Sequence, residues 1–166
     1  IQLGCTGDGY KWAQNFGINV VKPIPALTGF IPSEDISPVH GVRTYAKASI
    51  ACNGDILASD CGEVQFTRNG ISGICVMNLS RYFRIGEGKR YTLVLDLLPE
   101  YTAAETEKLL LNQNKLLSDP LAGLVPDKLA GYVLSKKKGN AKALAECCKA
   151  LTFTIESARG WKDAQV

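Results

Sequence analysis

The sequence predicts an α+β protein, in which a small, partly open antiparallel β-barrel-like sheet carries an inserted three-helix bundle. Short stretches of alternating apolar and polar residues follow one another between residues 41 and 97. Three amphipathic helical patterns then crowd between residues 98 and 150, and one last alternating stretch begins at Leu151. Strands that are short, sequential and linked by hairpins favour a curled antiparallel sheet, and the late strand makes the helices an excursion from it.

The chain opens with a glycine-rich turn and a short helix. Thr6-Gly7-Asp8-Gly9 precedes a helical run over residues 11–16, and Gly17 ends it. The free N–H groups of such a helix start suit a phosphate or pyrophosphate, and a simple helix entry is the alternative. Residues 18–21 are predicted to form a short strand.

A proline-rich connector follows over residues 22–33. Its three prolines stand at 23, 25 and 32, and they resist helix formation. This composition indicates a boundary between two bodies of structure.

The strands of the sheet are recognised by their alternation. In residues 41–52 the even-numbered positions are apolar or small and the odd-numbered ones mostly polar. Asn53-Gly54 is typical of a type I′ hairpin. Further strands are expected at 55–59, 62–67 and 91–97, and residues 151–155 rejoin the sheet.

Residues 62–83 are predicted to contain a strand, a turn and a helix. After the strand, Asn69-Gly70 turns the chain and a helix is expected near residues 72–84. Gly70 and Gly73 flank Ser72, so the backbone here can approach a ligand closely, and the helix start could hold an anion. The alternative is a strand-to-helix corner whose glycines only permit close packing.

Three helices fill residues 98–150. Thr102 and Glu105 have the spacing of a capping box, and the helix behind them carries leucines at 109, 110, 116 and 117 before residues 118–120 end it. The second helix starts at Pro126 with a stripe of Leu129, Tyr132 and Val133, and its lysines at 136–138 suit the negative end of the helix dipole. Asn140 is expected to cap the third helix, residues 141–150.

Composition excludes several classes of function. The net charge of +3 over 166 residues is too small to indicate a nucleic-acid partner, and no apolar run is long enough to span a membrane. The six cysteines, at 5, 52, 61, 75, 147 and 148, form no Cys-x-x-Cys pair, which argues against a zinc site. They are expected to be buried, reduced thiols of a cytoplasmic protein.

No complete catalytic set can be assembled from the residues. His40 is the single histidine, and it stands in a loop where a surface or interdomain position would explain it. The chain has no Walker loop and no Gly-x-Gly-x-x-Gly after a strand. We therefore predict no catalytic residue and no metal site in this chain.

Several blocks in a fixed order do carry a resemblance. They are residues 4–10 (Gly-Cys-Thr-Gly-Asp-Gly-Tyr), 23–27 (Pro-Ile-Pro-Ala-Leu), 62–73, 79–81 (Leu-Ser-Arg), 96–99 (Asp-Leu-Leu-Pro) and 164–166 (Ala-Gln-Val). With this set the chain resembles, over essentially its whole length, the inserted domain of the BaiN-like, or aminoacetone-oxidase-like, FAD/NAD(P)-dependent oxidoreductases.

The resemblance implies a division of the chain. Residues 1–22 would be a remnant of the flavin-binding domain, 23–97 with 151–158 the β-subdomain, 98–150 the helical bundle, and 159–166 the return linker. The insert would cap the flavin and shape the pocket of an unknown small-molecule substrate, and it would not be catalytic alone. The chain, which lacks an initial methionine, would then be a piece of a longer bacterial protein.

The resemblance also implies site residues. In the intact protein FAD would be approached by Thr6, Gly7, Asp8 and Gly9. No FAD is expected to bind to this chain alone. Gly70, Ser72 and Gly73 would face the cleft between cap and flavin.

The sequence departs from the family at three positions. The family often has His where Ile18 and Arg68 stand, and Pro where Ile74 stands. Arg68 could instead hold an anionic substrate or phosphate, because a guanidinium binds such groups bidentately; a surface arginine is the alternative. The competing functional hypothesis is an autonomous interaction or ligand-binding module without enzymatic activity.

Overall fold

A computed structural model describes residues 6–84, 88–116, 119–137 and 139–165, without the side chains of 114–116. Its strands are β1 (Phe30–Pro32), β2 (Arg43–Cys52), β3 (Asp55–Thr67), β4 (Gly70–Ser72), β5 (Tyr91–Asp96) and β6 (Leu151–Ala158). Its α-helices are α1 (Asp8–Asn15), α2 (Ile74–Leu79), α3 (Ala103–Leu116), α4 (Asp127–Lys136) and α5 (Ala141–Lys149), and short 3-10 helices occupy Ser37–Val39 and Ser80–Tyr82.

Some positions used in the sequence-based predictions lie outside this description. They are Gly4, Cys5, Leu117, Ser118, Lys138 and Val166, together with the side chain of Leu116. The remaining elements can be compared directly with the predictions.

The β-barrel is closed, with strand order β1-β4-β3-β2-β5-β6 and antiparallel neighbours throughout. The prediction of a partly open sheet was therefore wrong. The closing strand is β1, whose Phe30 pairs with Ile71 of β4 on one side and with Ala158 of β6 on the other. Pro32 ends this strand, where a missing N–H is tolerated. A strand of three residues inside a proline-rich connector is too short for an alternating pattern to reveal it.

Three local predictions also need correction. Residues 18–21 form no strand, and Ile18 and Val21 are 59% and 84% exposed. Residues 55–59 and 62–67 belong to one strand, β3, which pairs with β2 from Asp55 to Gln65. The helix expected near 72–84 is shorter, because β4 occupies Gly70–Ser72 and α2 begins only at Ile74.

The β2–β3 hairpin is confirmed. Asn53 and Gly54 have φ angles of 53° and 97°, the left-handed pair that a type I′ turn requires. The even-numbered residues of β2 face the interior as predicted. Ser49, on the outward face, is nevertheless buried and shares a 2.7 Å hydrogen bond with Ser59 of β3.

The barrel interior is filled by large side chains from several strands. Phe66 of β3 and Phe153 of β6 meet with ring centroids 5.9 Å apart. The ring of Tyr132 in α4 also stacks on that of Phe153, with centroids 6.2 Å apart. The predicted return of the chain to the sheet at β6 is thus confirmed, and the helical segment packs onto the barrel core through α4.

The caps of the helical segment follow the sequence. Thr102 N donates to Glu105 Oε2 at 2.8 Å and Glu105 N to Thr102 Oγ1 at 3.3 Å, which completes the capping box. The bond from Thr102 N and one from the Thr102 hydroxyl to the same Oε2, also at 2.8 Å, lower the pKa of the Glu105 carboxyl. Ala143 N donates to Asn140 Oδ1 at 3.0 Å at the start of α5. The helices are confirmed, and their assembly into a bundle stays a prediction.

The described cysteines are free thiols, as expected. Cys75 and Cys148 are buried, whereas Cys61 is exposed, contrary to the expectation of burial. Burial raises the pKa of Cys75 to about 11 and that of Cys148 to about 12, so both stay protonated at neutral pH. Among the described helices none is both long enough and apolar enough to cross a bilayer.

Candidate functional site

A cleft of about 570 Å³ lies against the wall of the barrel that contains β1, and we call it the β1 cleft. Its lining comes from β1 and the loop after it, from the β3–β4 turn and from the segment after β6. The residues are Ile31, Pro32, Glu34, Asp35, Ile36, Ser37, His40, Arg68, Asn69, Gly70, Arg159, Gly160 and Asp163.

The position of the cleft follows from the lengths of the strands. β1 and β4 have three residues each, whereas β3 has thirteen. At about 3.3 Å per residue, the barrel wall is roughly 10 Å tall at β1 and β4. The β3–β4 turn at one barrel end and the segment after β6 at the other therefore come close enough to line one cleft.

The carboxylates of the cleft are bonded within the protein. Glu34 accepts from the backbone N–H of Thr154 through both oxygens, at 3.0 and 2.9 Å. Asp35 accepts from the N–H and hydroxyl of Ser37 at 2.8 and 3.0 Å, and these bonds lower the pKa of its carboxyl. Asp163 accepts from Arg159 Nη2 at 3.0 Å. Each of the three carboxylates therefore already accepts at least one hydrogen bond from the protein.

Several donors of the cleft have no hydrogen-bond partner among the described residues. The exposed guanidinium of Arg68 and the half-buried imidazole of His40 make no hydrogen bond or ion pair to any described side chain. The buried Nε of Arg159 likewise finds no hydrogen-bond partner within the described part of the chain. A buried donor without a hydrogen-bond partner lowers the stability of the fold by about 1–3 kcal/mol. A ligand that bonded to this N–H would remove that penalty.

A second cleft of about 450 Å³ opens beside the first, and His40 and Arg68 line both. Arg43 and Gln65 are among the other residues of its lining. Arg43 is paired with Glu63 at 3.4 Å. Arg68 and His40 therefore stand on the ridge between two concave surfaces at one end of the barrel.

The structure separates the residues predicted for the substrate cleft. Arg68 and Gly70 lie in the β1 cleft, but Ser72 and Gly73 do not line it. A Cβ on Gly70 would lie 2.1 Å from the carbonyl oxygen of Phe30, and one on Gly73 the same distance from that of Glu63. Both glycines thus allow strands to pack closely, which was the structural alternative.

The residues predicted to approach FAD lie apart, at the start of α1. Gly7 precedes the helix with a φ of 77°, and no side chain caps the first-turn N–H groups. Thr6, Asp8 and Gly9 are exposed. Gly9 has open space where a Cβ would stand.

Sequence reasoning named Arg68 and Gly70 for a cleft but missed Arg159. Nothing in the tail after β6 marks Arg159 beyond its charge, since it reaches the cleft only because β6 pairs with β1. His40 also lines the cleft, although a single histidine in a loop does not by itself predict any chemistry. No group of three or more metal-ligating side chains occurs within the described ranges.

Most of the chain matches a known protein family. Residues 24–166 match the family model described as the HI0933-like protein barrel and H2TH domain. The chain belongs to the HI0933-like family. The match confirms the resemblance to the BaiN-like oxidoreductases, and the closed barrel, with helices α3 to α5 between β5 and β6, agrees with the barrel that the description names.

Curated relatives of this HI0933-like chain are larger proteins. It is 32% identical to a 3-dehydro-bile acid delta(4,6)-reductase of Clostridium scindens, over 99% of the chain and 45% of the relative. It is 28% identical to a ribosomal RNA dihydrouridine synthase of Haemophilus influenzae, over 99% and 43%. A ribosomal RNA dihydrouridine synthase of Escherichia coli is 30% identical over 76% of the chain and 31% of the relative. The chain thus spans less than half the length of each.

Proposed function

We propose that this HI0933-like chain is the insert domain of a bacterial FAD-dependent oxidoreductase, where it covers the flavin and forms one wall of the substrate pocket. It acts in the cytoplasm and is inactive alone. The proposal rests on the two connections of the barrel, which run side by side where the chain enters and leaves it. The segment that precedes the barrel exposes several large apolar side chains.

The entrance and exit of the barrel run side by side. Arg159 N donates to the carbonyl of Gly29 at 2.8 Å, and Gln165 N to that of Leu27 at 3.4 Å. The hydroxyl of Thr28 also donates to the carbonyl of Arg159. A domain whose two connections leave at one place can be inserted into another domain with little disturbance to it.

The segment before the barrel supports an attachment to another body. α1 buries no residue, and Trp12, Phe16 and Val21 are 65%, 83% and 84% exposed. Large apolar side chains exposed together are typical of an interaction surface. We assign residues 1–22 and 159–166 to the flavin-binding side, 23–97 with 151–158 to the barrel, and 98–150 to the helical part.

The residues at the start of α1 fit one edge of a flavin site. The uncapped N–H groups behind Gly7 suit a pyrophosphate, and the absence of a side chain at Gly9 leaves room for close approach. These residues would hold the cofactor, and bound FAD would supply hydride transfer. Most of the remaining contacts would come from outside this chain, so the chain alone binds no FAD.

The relatives are a bile acid reductase and ribosomal RNA dihydrouridine synthases, and their substrates belong to different classes. A bile acid is a small molecule and ribosomal RNA is a macromolecule. The modest net charge of this chain favours a small-molecule substrate over RNA. The β1 cleft, with Arg68 and Gly70, is its proposed wall, and it lies beside the connections to the flavin-binding side.

Flavin content tests this proposal. A longer protein that contains this chain with its flanking sequence is expected to purify with FAD and to show the visible flavin absorbance. The 166-residue chain is expected to stay colourless after incubation with FAD. A colourless longer protein, or tight FAD binding by the short chain, would overturn the proposal.

The exposed side chains of Trp12 in α1 and Phe16 after it also suit the competing hypothesis, an autonomous interaction module. The two hypotheses differ in what covers Trp12 and Phe16. In the flavoprotein these side chains are buried by the same polypeptide, so tryptophan fluorescence of the longer protein shifts to the blue relative to the short chain. An interaction module would show that shift only on addition of another protein.

A further inference from the structure

We propose that the β1 cleft is a binding site for an oxyanion, a carboxylate or phosphate group carried by a small ligand, and that Arg68 is its principal charged contact. The inference concerns the chain itself. It can therefore succeed or fail whether or not the longer protein binds flavin.

The carboxylates and the arginines of the β1 cleft differ in whether they already have hydrogen-bond partners. Three carboxylates and two arginines line the cleft, which by formal charge alone would not favour an anion. Each carboxylate, however, already accepts hydrogen bonds from Thr154, Ser37 or Arg159. Each carboxylate is therefore held in place by a donor of the protein, whereas no described residue bonds to the Arg68 guanidinium, which keeps all its N–H donors available.

Two further side chains with N–H groups, His40 and Arg159, line the β1 cleft. Half-buried His40 lines the same cleft and its imidazole is likewise unbonded. The side chain of Arg159 is 16% exposed and is fixed by Asp163, so it adds an oriented guanidinium at the opposite edge. An anion between these edges would meet donors from the β1–β2 loop, the β3–β4 turn and the segment after β6.

The β3–β4 turn, which carries Arg68, is held in place by close packing and hydrogen bonds. Gly70 follows the arginine by two residues, and its backbone is packed against Phe30 too closely for any Cβ. Thr67 Oγ1 donates to the carbonyl of Gly70 at 2.9 Å and accepts from Asn69 N at 3.3 Å, which closes the β3–β4 turn around Arg68. Arg68 is thus exposed but carried on a fixed turn, so less ordering is needed when a ligand binds.

Guanidinium chemistry defines the ligand class. Its planar N–H donors match the two oxygens of a carboxylate or phosphate, and such charge-assisted bonds are stronger than neutral ones. The apolar Ile31, 38% exposed on the floor of the cleft, adds a surface for a hydrocarbon part of the ligand. An organic acid or a phosphorylated small molecule therefore fits better than a bare ion.

The test is an NMR titration of the 15N-labelled chain at constant ionic strength, with inorganic phosphate in one arm and acetate in the other. Saturable shifts of the amides of Asn69, Gly70 and Gly160 are expected in at least one arm. Saturation with phosphate alone assigns a phosphate group, and saturation with acetate shows that a carboxylate is accepted. No saturable shift in either arm overturns the proposal.

Two variants separate a local site from general charge. Arg68→Gln is expected to weaken binding about tenfold or more, because it removes a charge-assisted pair. Arg90→Gln is the matched control: Arg90 is exposed and outside the β1 cleft, so binding stays unchanged. Equal weakening by both variants, or none by Arg68→Gln, would contradict the proposal. The spectrum of each variant without ligand establishes that it is folded.

Discussion

Replacing Gly70 by alanine is expected to lower the free energy of unfolding of this chain by about 3–5 kcal/mol, since backbone strain and overpacking act together. The φ angle of Gly70 is 126°, which side-chain-bearing residues rarely adopt. Its new Cβ would also lie 2.1 Å from the carbonyl oxygen of Phe30. Because Phe30 and Ile71 form the β1–β4 pair, relief of this clash must separate the two strands that close the barrel.

Chemical denaturation monitored by circular dichroism measures this effect. Gly131→Ala is the matched control, because Gly131 lies exposed in α4 with nothing within 4 Å of an added Cβ. Alanine is preferred to glycine inside a helix by about 1 kcal/mol, so this variant is expected to be unchanged or slightly stabilised. An equally stable Gly70→Ala variant would mean that the β1–β4 closure is absent in solution.

Replacing Phe153 by alanine is expected to cost about 3–5 kcal/mol, the usual loss for a large aromatic side chain in a core. Phe153 is 1% exposed and lies between Phe66 of β3 and Tyr132 of α4. Its loss leaves a cavity where the helical part meets the barrel. Both parts should therefore lose stability together, and the denaturation midpoint falls for the helical and the sheet signals alike.

Phe16→Ala is the corresponding control. Phe16 is 83% exposed in this chain, so its removal should change stability by no more than about 0.5 kcal/mol. Unfolding of the helical signal alone in Phe153→Ala would contradict the described packing of α4 on the barrel core. A strong effect of Phe16→Ala on this chain would contradict the exposure of the segment after α1.

The sequence was most informative where one residue type decides a local conformation. Asn53-Gly54 specified its hairpin, Thr102 and Glu105 their capping box, and Asn140 its helix start, because each depends on neighbours within a few residues. The alternation of β2 and β5 likewise reports burial of one face. Such features follow from short-range chemistry and need no knowledge of the fold.

Closure of the barrel could not be predicted in the same way. It depends on two three-residue strands, and their pairing joins Phe30 to Ile71 and Ala158, which are far apart in the chain. The β1 cleft has the same origin, because Arg68 and Arg159 are brought to one surface only by that closure. Arg68 could be named as a candidate from a resemblance, whereas Arg159 required the three-dimensional pairing.

Removal of the insert from the proposed longer flavoprotein tests most directly whether the insert covers the flavin. Residues 30–158 would be replaced by a short glycine-serine linker, which the adjacency of Gly29 and Arg159 permits without strain. The account predicts that this variant retains FAD and that iodide quenches its flavin fluorescence more strongly than that of the intact protein. Retained FAD with unchanged quenching would contradict the account, because the barrel and its helices would then leave the flavin uncovered.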